Sequence, residues 1–491
     1  MFEAAELRRT LDKDAYREMV PELRTGLLNL QQDLRECDFP VILLISGADG
    51  AGKSETVNML HQWMDPRWIE TAAFDEPTDE ERERPAFWRY WRALPAKGSM
   101  GVLFGSWYSY PIARRVDDGI DDNDLDVMLK RINTFEKMLV DDGALLIKLW
   151  FHLGKEMQAE RIRKLRRNPK TKWRIGARDL AALKSYDRFR EVAEHALRQT
   201  STGEAPWIIV EGFDERYRNV TTASHILQVV RKRIELDPQT LHGPTTAWKT
   251  PRESDKTILD FLDLEKRLDK KDYRKQLANL QGRLSVLART ARERKISTIV
   301  VLEGWDAAGK GGIIRRISRA MDARSYRVIS VAAPTDEERA HHYLWRFWRH
   351  IPRAGRFTIY DRSWYGRVLV ERVEGFAAED EWIRAYREIN EFEEELTDHG
   401  IVLVKFWVHI DREEQLARFK AREETSFKQH KITEEDWRNR EKWDDYAHAV
   451  NDMVERTSTE FAPWNLIEGN DKRWARVRAL QVLCERLEKA L

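Results

Sequence analysis

Cysteine is almost missing from this 491-residue chain: Cys37 and Cys484 are the only two. They imply no disulfide framework, and a reducing compartment suits such a sequence. An excess of one charge is missing too. The 85 basic and 84 acidic residues leave a formal net charge of +1, which argues against wholesale binding to nucleic acid or membrane and leaves only local basic patches. No apolar run approaches the roughly 18 uninterrupted residues of a membrane span, and the first ten residues lack the apolar core of a secretion signal. The expectation is a cytoplasmic chain with neither a membrane nor a nucleic-acid partner.

What the chain does have, it has twice. Gly47-Ala48-Asp49-Gly50-Ala51-Gly52-Lys53-Ser54 matches the phosphate-loop pattern G-x-x-x-x-G-K-[ST] and follows the apolar run Val41 to Ile45. Gly304-Trp305-Asp306-Ala307-Ala308-Gly309-Lys310-Gly311 repeats it 257 positions later, with Gly311 where serine or threonine is usual. Glycines let backbone N–H groups turn in on phosphate oxygens, and the lysine adds a positive charge. The same offset relates Pro77-Thr78-Asp79-Glu80-Glu81-Arg82 to Pro334-Thr335-Asp336-Glu337-Glu338-Arg339, Ser106-Trp107-Tyr108 to Ser363-Trp364-Tyr365, and Ala205-Pro206-Trp207 to Ala462-Pro463-Trp464. Residues 1–234 therefore map onto 258–491 as an internal duplication. The unmatched stretch 235–257 carries Pro238, Pro244 and Pro251, as an exposed linker would.

Each copy alternates strand-like and helix-like segments, which predicts an α/β fold: tandem phosphate-loop domains, each a mostly parallel sheet flanked by helices with a lid segment. In the second copy the expected strands are 298–302, 327–331, 357–360, 401–408 and 465–467, with a helix over 381–397. Their near-continuous apolar character implies burial on both faces, so ligands should gather beyond the carboxyl ends of the strands.

There the two copies part. The strand ending at Tyr360 runs into Asp361-Arg362-Ser363-Trp364-Tyr365, which puts a carboxylate at its carboxyl edge, where phosphate-loop enzymes hold magnesium. The first copy has Phe104 and Gly105 at those positions. A phenylalanine cannot bind a metal.

Gly304 through Gly312, Pro334-Thr335 and Tyr360 through Tyr365 together resemble the polyphosphate kinase 2 family, in both copies and over all but the linker. The resemblance implies phosphoryl transfer between inorganic polyphosphate and a nucleotide with Mg2+, and the duplicated form resembles the branch that converts AMP to ADP. It implies phosphate binding by Lys310 and the loop backbone (Gly304, Ala307, Ala308, Gly309, Gly311, Gly312). Asp306 and Asp361 would position the metal or the attacking phosphate, Arg362 would neutralise transferring oxygens, and Arg422 would lie in a mobile basic lid. A nucleotide phosphate is already an anionic nucleophile, so His341, His342, His350 and His409 are read as structural or as polyphosphate contacts, not catalysts.

The first copy keeps Asp49 and Lys53 but has Phe104, Gly105 and Leu165 where the second has Asp361, Arg362 and Arg422, so it is expected to be inactive. Its basic run Arg161 to Lys172 could hold a polyanion or simply be solvated. Trp88-Arg89-Tyr90-Trp91-Arg92 and Trp345-Arg346-Phe347-Trp348-Arg349 place tryptophans on one helix face and arginines on an adjacent one. Core packing is expected of the tryptophans; for Arg346 and Arg349, phosphate contact and plain solvation both stay open. The duplication suggests an intrachain pseudo-dimer, with further homo-oligomerisation open. Three functional readings remain: a polyphosphate-dependent kinase for a nucleoside mono- or diphosphate, an ATP-dependent nucleotide kinase, and a non-catalytic binder of nucleotide or polyphosphate.

Overall fold

The computed structural model describes residues 1–236, 257–424 and 434–491. Of the expected linker, residues 237–256 lie outside the described ones. The chain divides into two compact units. One gathers Met1–Pro77, the described part of Arg89–Pro244, and Asp336–His342. The other holds Thr78–Trp88, the described parts of Thr245–Thr335 and Tyr343–Leu491.

In the first unit β1 (Val41–Gly47), β2 (Ile69–Ala73), β3 (Met100–Phe104), β4 (Leu145–His152) and β5 (Trp207–Glu211) form a parallel sheet in the order β2-β3-β1-β4-β5. In the second, β6 (Thr298–Gly304), β7 (Tyr326–Ser330), β8 (Phe357–Asp361), β9 (Val402–His409) and β10 (Trp464–Glu468) repeat that order. Register is repeated too. Leu302 pairs with Asp361 and Phe406, and Ile45 with Phe104 and Leu149. The α/β expectation and all five strands of the second copy are thus found, with ends shifted by one or two residues.

The loop-bearing strand is central in each sheet, with residues 298–303 all buried, which is why it reads as unbroken apolar sequence. The edge strand β7 is largely exposed and carries Arg327. The helix Glu379–Asp398 buries Ala385, Ile389, Phe392 and Leu396 on one stripe, the helical spacing expected of it.

One polar cluster lies under each sheet. Lys405 on β9 donates to Glu393 (2.6 Å) and to the Thr457 carbonyl (2.7 Å), and Glu393 also accepts from Tyr365 (2.6 Å) and Trp364 (3.1 Å). Lys405 and Glu393 are fully buried. Burial pushes the Glu393 carboxyl up and the Lys405 ammonium down, and their contact with each other opposes both shifts; removing one partner of such a pair costs about 3–5 kcal/mol. This cluster clamps the Ser363-Trp364-Tyr365 turn onto β9 and so sets the end of β8.

Candidate active site

Gly304 ends β6 at φ 145°, and a Cβ there would lie 2.4 Å from the Val408 carbonyl oxygen, so the close strand approach demands glycine. The loop then turns into the helix Lys310–Arg319, capped by Gly309 at φ 116° without a side-chain cap. The N–H groups of Lys310 and Gly311 are left for a ligand, that of Gly312 being taken by the Gly309 carbonyl at 2.8 Å, and the helix dipole favours an anion there. Lys310 rests on the loop itself, donating to the Gly304 carbonyl at 2.5 Å and the Trp305 carbonyl at 3.3 Å.

The loop is held from beneath by Arg418, on the helix Arg412–Glu423. Its guanidinium donates to the carbonyls of Ala307 (2.9 Å), Ala308 (2.7 Å), Gly469 (2.7 Å) and Asn470 (3.0 Å), and Glu414 balances its charge at 2.6 Å. With the carbonyls tied down on this side, the amides of Ala307 and Gly309 are left to face the other, while that of Ala308 donates to the Trp305 carbonyl at 3.0 Å. Trp305 is buried against Trp443, the rings stacked at 3.8 Å and 7°, and donates its indole N–H to His409 Nδ1 at 2.9 Å. Burial holds the His409 imidazole down at about 4, so the ring is neutral and can accept.

Asp306 receives Arg362 at 2.8 Å on one carboxylate oxygen and Asn439 at 3.0 Å on the other. Burial pushes this carboxyl up, but the charges of Lys310 and Arg362 outweigh it, and the group sits below the usual carboxylate range. Arg362 makes its contact from φ 65°, a left-handed conformation costly for any residue with a Cβ. Asp361 is half-buried; its backbone carbonyl accepts from Val331, and its carboxylate has no hydrogen-bond or ion-pair partner among the described residues. Glu303 is 5 % exposed and accepts one hydrogen bond, from Ser363 Oγ at 2.8 Å. Burial pushes its carboxyl up, opposed first by Lys310.

Among the described residues no group of three or more His, Cys, Asp and Glu side chains forms a metal cage. The donor set instead suits magnesium, which is commonly held by one or two carboxylates with substrate phosphates completing the sphere. An unpartnered Asp361 carboxylate beside a cationic phosphate loop meets that requirement.

The first repeat has the same loop pose without this chemistry. Lys53 donates to the carbonyls of Gly47 (2.6 Å) and Ala48 (3.0 Å), and Arg161, the counterpart of Arg418, donates to Gly50, Gly212 and Phe213. Gly105 holds φ 74°, the conformation that Arg362 adopts under strain. Ser46 and Ser106 share a hydrogen bond at 3.1 Å where the second repeat has Glu303 and Ser363. Arg218, 2 % exposed, packs its guanidinium directly on Gly52, where a Cβ would lie 2.1 Å from Nη1; the second repeat has Ala475 there.

The polyphosphate kinase 2 family model matches residues 10–237 and again 267–491. The chain belongs to the polyphosphate kinase 2 family. It is 51 % identical over 491 residues to the polyphosphate:AMP phosphotransferase of Pseudomonas aeruginosa, covering 100 % of this chain and 99 % of that one. It is 39 % identical to the polyphosphate:AMP phosphotransferase of Acinetobacter johnsonii, with 91 % of each chain covered. A crystal structure described as a polyphosphate kinase 2 from P. aeruginosa superposes with a TM-score of 0.89 at 50 % identity, over 100 % of this chain and 99 % of that one.

Within this family fold, Asp306, Lys310, Asp361 and Arg362 gather at one strand edge. Arg422 stands one turn beyond Arg418 on the same helix, half-buried. Arg346 donates to the Ala332 carbonyl at 3.0 Å, in the loop after β7, and Arg349 lies exposed over the Trp345 ring. Trp88, Trp91, Trp345 and Trp348 are all buried, as core packing requires. His409 serves the loop by accepting from Trp305. The sequence reading passed over Glu303, Asn439, Trp443 and the anchoring role of Arg418. Three of them differ between the repeats (Ser46, Ala182 and Tyr186 are the counterparts), a signal that aligning the copies residue by residue exposes; Arg418 is matched by Arg161 and gave none.

Proposed function

We propose that the second repeat transfers a phosphoryl group from inorganic polyphosphate to AMP, giving ADP and a polyphosphate shorter by one unit, with Mg2+ as cofactor and in the cytoplasm. The observation that carries this reading is the end-to-end similarity to two chains named polyphosphate:AMP phosphotransferase, over both repeats. In the reaction an AMP phosphate oxygen bonds to the terminal phosphorus of polyphosphate as the bridging P–O bond to the next unit breaks. The electron pair leaves with the shortened chain, and no proton need move.

Such a transfer has a loose transition state with charge spread over the equatorial oxygens, stabilised by fixed cations and dipoles. The N–H groups of Ala307, Gly309, Lys310 and Gly311 cradle phosphate oxygens, those of Ala308 and Gly312 being spent within the loop on Trp305 and Gly309, and Lys310 leaves its loop carbonyls to meet the transferring group. Arg362 swings between Asp306 and those oxygens, and Arg346, Arg349 and Arg422 supply further positive charge along the anionic chain. Asp361 and Asp306 are the residues that would hold the cation, which when bound shields the phosphate charges from each other. No helix among the described residues is long and apolar enough to cross a membrane, in keeping with an enzyme of small anions.

The first repeat, with Phe104, Gly105 and Leu165, is proposed to be catalytically silent. Incubation with magnesium, AMP and either polyphosphate or ATP tests the assignment. ADP from polyphosphate is expected; ADP only when ATP is supplied, or no product, overturns it.

A further inference from the structure

The second repeat carries a buried acid that the reading above leaves idle. Glu303 ends the buried run of β6, immediately before the first glycine of the loop, with one oxygen on Ser363 Oγ and no other partner among the described residues. A carboxylate taken out of water with only one hydrogen bond destabilises a fold. The first repeat shows that this fold does not need it: Ser46 makes the equivalent bond to Ser106 at 3.1 Å, in a strand of the same register. Ser363 is satisfied either way. The Glu303 carboxyl therefore serves something other than the turn, and its surroundings say what. Its neighbour Leu302 pairs with Asp361, its partner Ser363 lies two residues beyond Asp361, and the Gly304 carbonyl that follows it holds Lys310. Of the two repeats, the one with Asp361 also has Glu303, and the one with Phe104 has serine.

We propose that Glu303 is a further acidic group of the transfer site, acting with Asp361 to hold the divalent cation against the loop while its other oxygen fixes Ser363 and hence the Asp361-Arg362 turn. This rests on the reading of the second repeat as a cation-dependent phosphotransferase. The donor set then comprises Asp361 and Glu303 from adjacent strands beside Asp306 of the loop, which leaves the remaining positions to phosphate oxygens and water.

The experiment uses the full chain as wild type, Glu303→Ser and Glu303→Gln. Both replacements keep an acceptor for Ser363, and the serine reproduces the pairing that the first repeat already folds around. Binding of Mn2+ in the presence of pyrophosphate, followed by electron paramagnetic resonance, is the readout that does not depend on turnover. A weakening of the pyrophosphate-dependent Mn2+ affinity by about 10-fold or more in both variants is expected, together with a matching rise in the Mg2+ concentration giving half-maximal ADP formation. Mn2+ affinity within twofold of wild type in the serine variant overturns the proposal, whether or not turnover falls. If the glutamine variant does not fold, the serine variant decides alone. Wild-type protein that binds Mn2+ with pyrophosphate yet makes no ADP from polyphosphate and AMP would sink the proposed reaction and leave the Glu303 comparison standing.

Discussion

The buried cluster beneath each sheet has the same members and the same bonds: Lys148 to Glu136 at 2.7 Å against Lys405 to Glu393 at 2.6 Å, Tyr108 and Tyr365 both at 2.6 Å from their glutamates. A few residues away, at the carboxyl edge, the repeats share little. Asp361, Arg362 and Glu303 face Phe104, Gly105 and Ser46. Strand order, register, loop pose and the anchoring arginine are the same whichever side chains stand at that edge. The fold is held by what lies below the loop, and the proposed chemistry is assigned to a handful of side chains above it that the first repeat folds without.

That separation can be broken from either side. The largest effect is expected from Asp361→Asn, which removes the unpartnered carboxylate: ADP formation should fall on the order of 10⁴-fold, about 5 kcal/mol of transition-state stabilisation, with the circular dichroism and melting curve of wild type. Loss of the fold would mean that Asp361 belongs to the scaffold instead. Next come Glu393→Ala and Glu136→Ala, each orphaning a buried lysine at a cost of about 4 kcal/mol. Chemical denaturation should register both, and a stable Glu136→Ala protein would show that the clusters are not equivalent. Arg362→Gly, which copies the first repeat, should cost turnover roughly 3 kcal/mol. It should also leave stability unchanged or raise it by up to about 1 kcal/mol, as the φ 65° strain is released. A variant that is both slower and less stable would refute the idea that Arg362 is strained for function.

The smaller effects concern the loop's supports. His409 titrates near 4 when folded, below the usual imidazole value, so it binds fewer protons folded than unfolded. Its contribution is intact near neutrality and lost as pH falls from about 6.5 to about 4, a loss of no more than roughly 3 kcal/mol. The stability gap between wild type and His409→Gln, measured by urea unfolding across that range, should narrow on acidification; a constant gap would remove the neutral acceptor role. Least of all, Lys53→Ala should change turnover by less than about twofold, under roughly 0.5 kcal/mol. A loss comparable to that of Lys310→Ala would make the first loop a working partner.

The fold was legible because parallel strands buried on both faces are written as unbroken apolar runs, and writing them twice at a fixed offset removed ambiguity about where they stop. The place of Asp361 at the end of β8 was legible because the apolar run stops there. Asn439 and Trp443 were not, because their link to the loop runs through tertiary contacts to Asp306 and Trp305 more than 100 positions away, with no local pattern to announce them. Glu303 hid by adjacency, as one polar letter between an apolar strand and a glycine reads like the start of the loop. The membership of Thr78–Trp88 and Asp336–His342 in compact units other than those of their sequence neighbours lies beyond any local reading.

The stacked pair Trp305 and Trp443 has a use for the experimenter. Two indoles face to face at 3.8 Å couple their strong far-ultraviolet transitions. Ala48 and Tyr186 hold no such stack, and the first repeat's neighbouring indoles, Trp150 and Trp207, meet edge to face at 6.0 Å. The difference spectrum between wild type and Trp443→Tyr therefore reports a movement of that loop in the intact chain without a label.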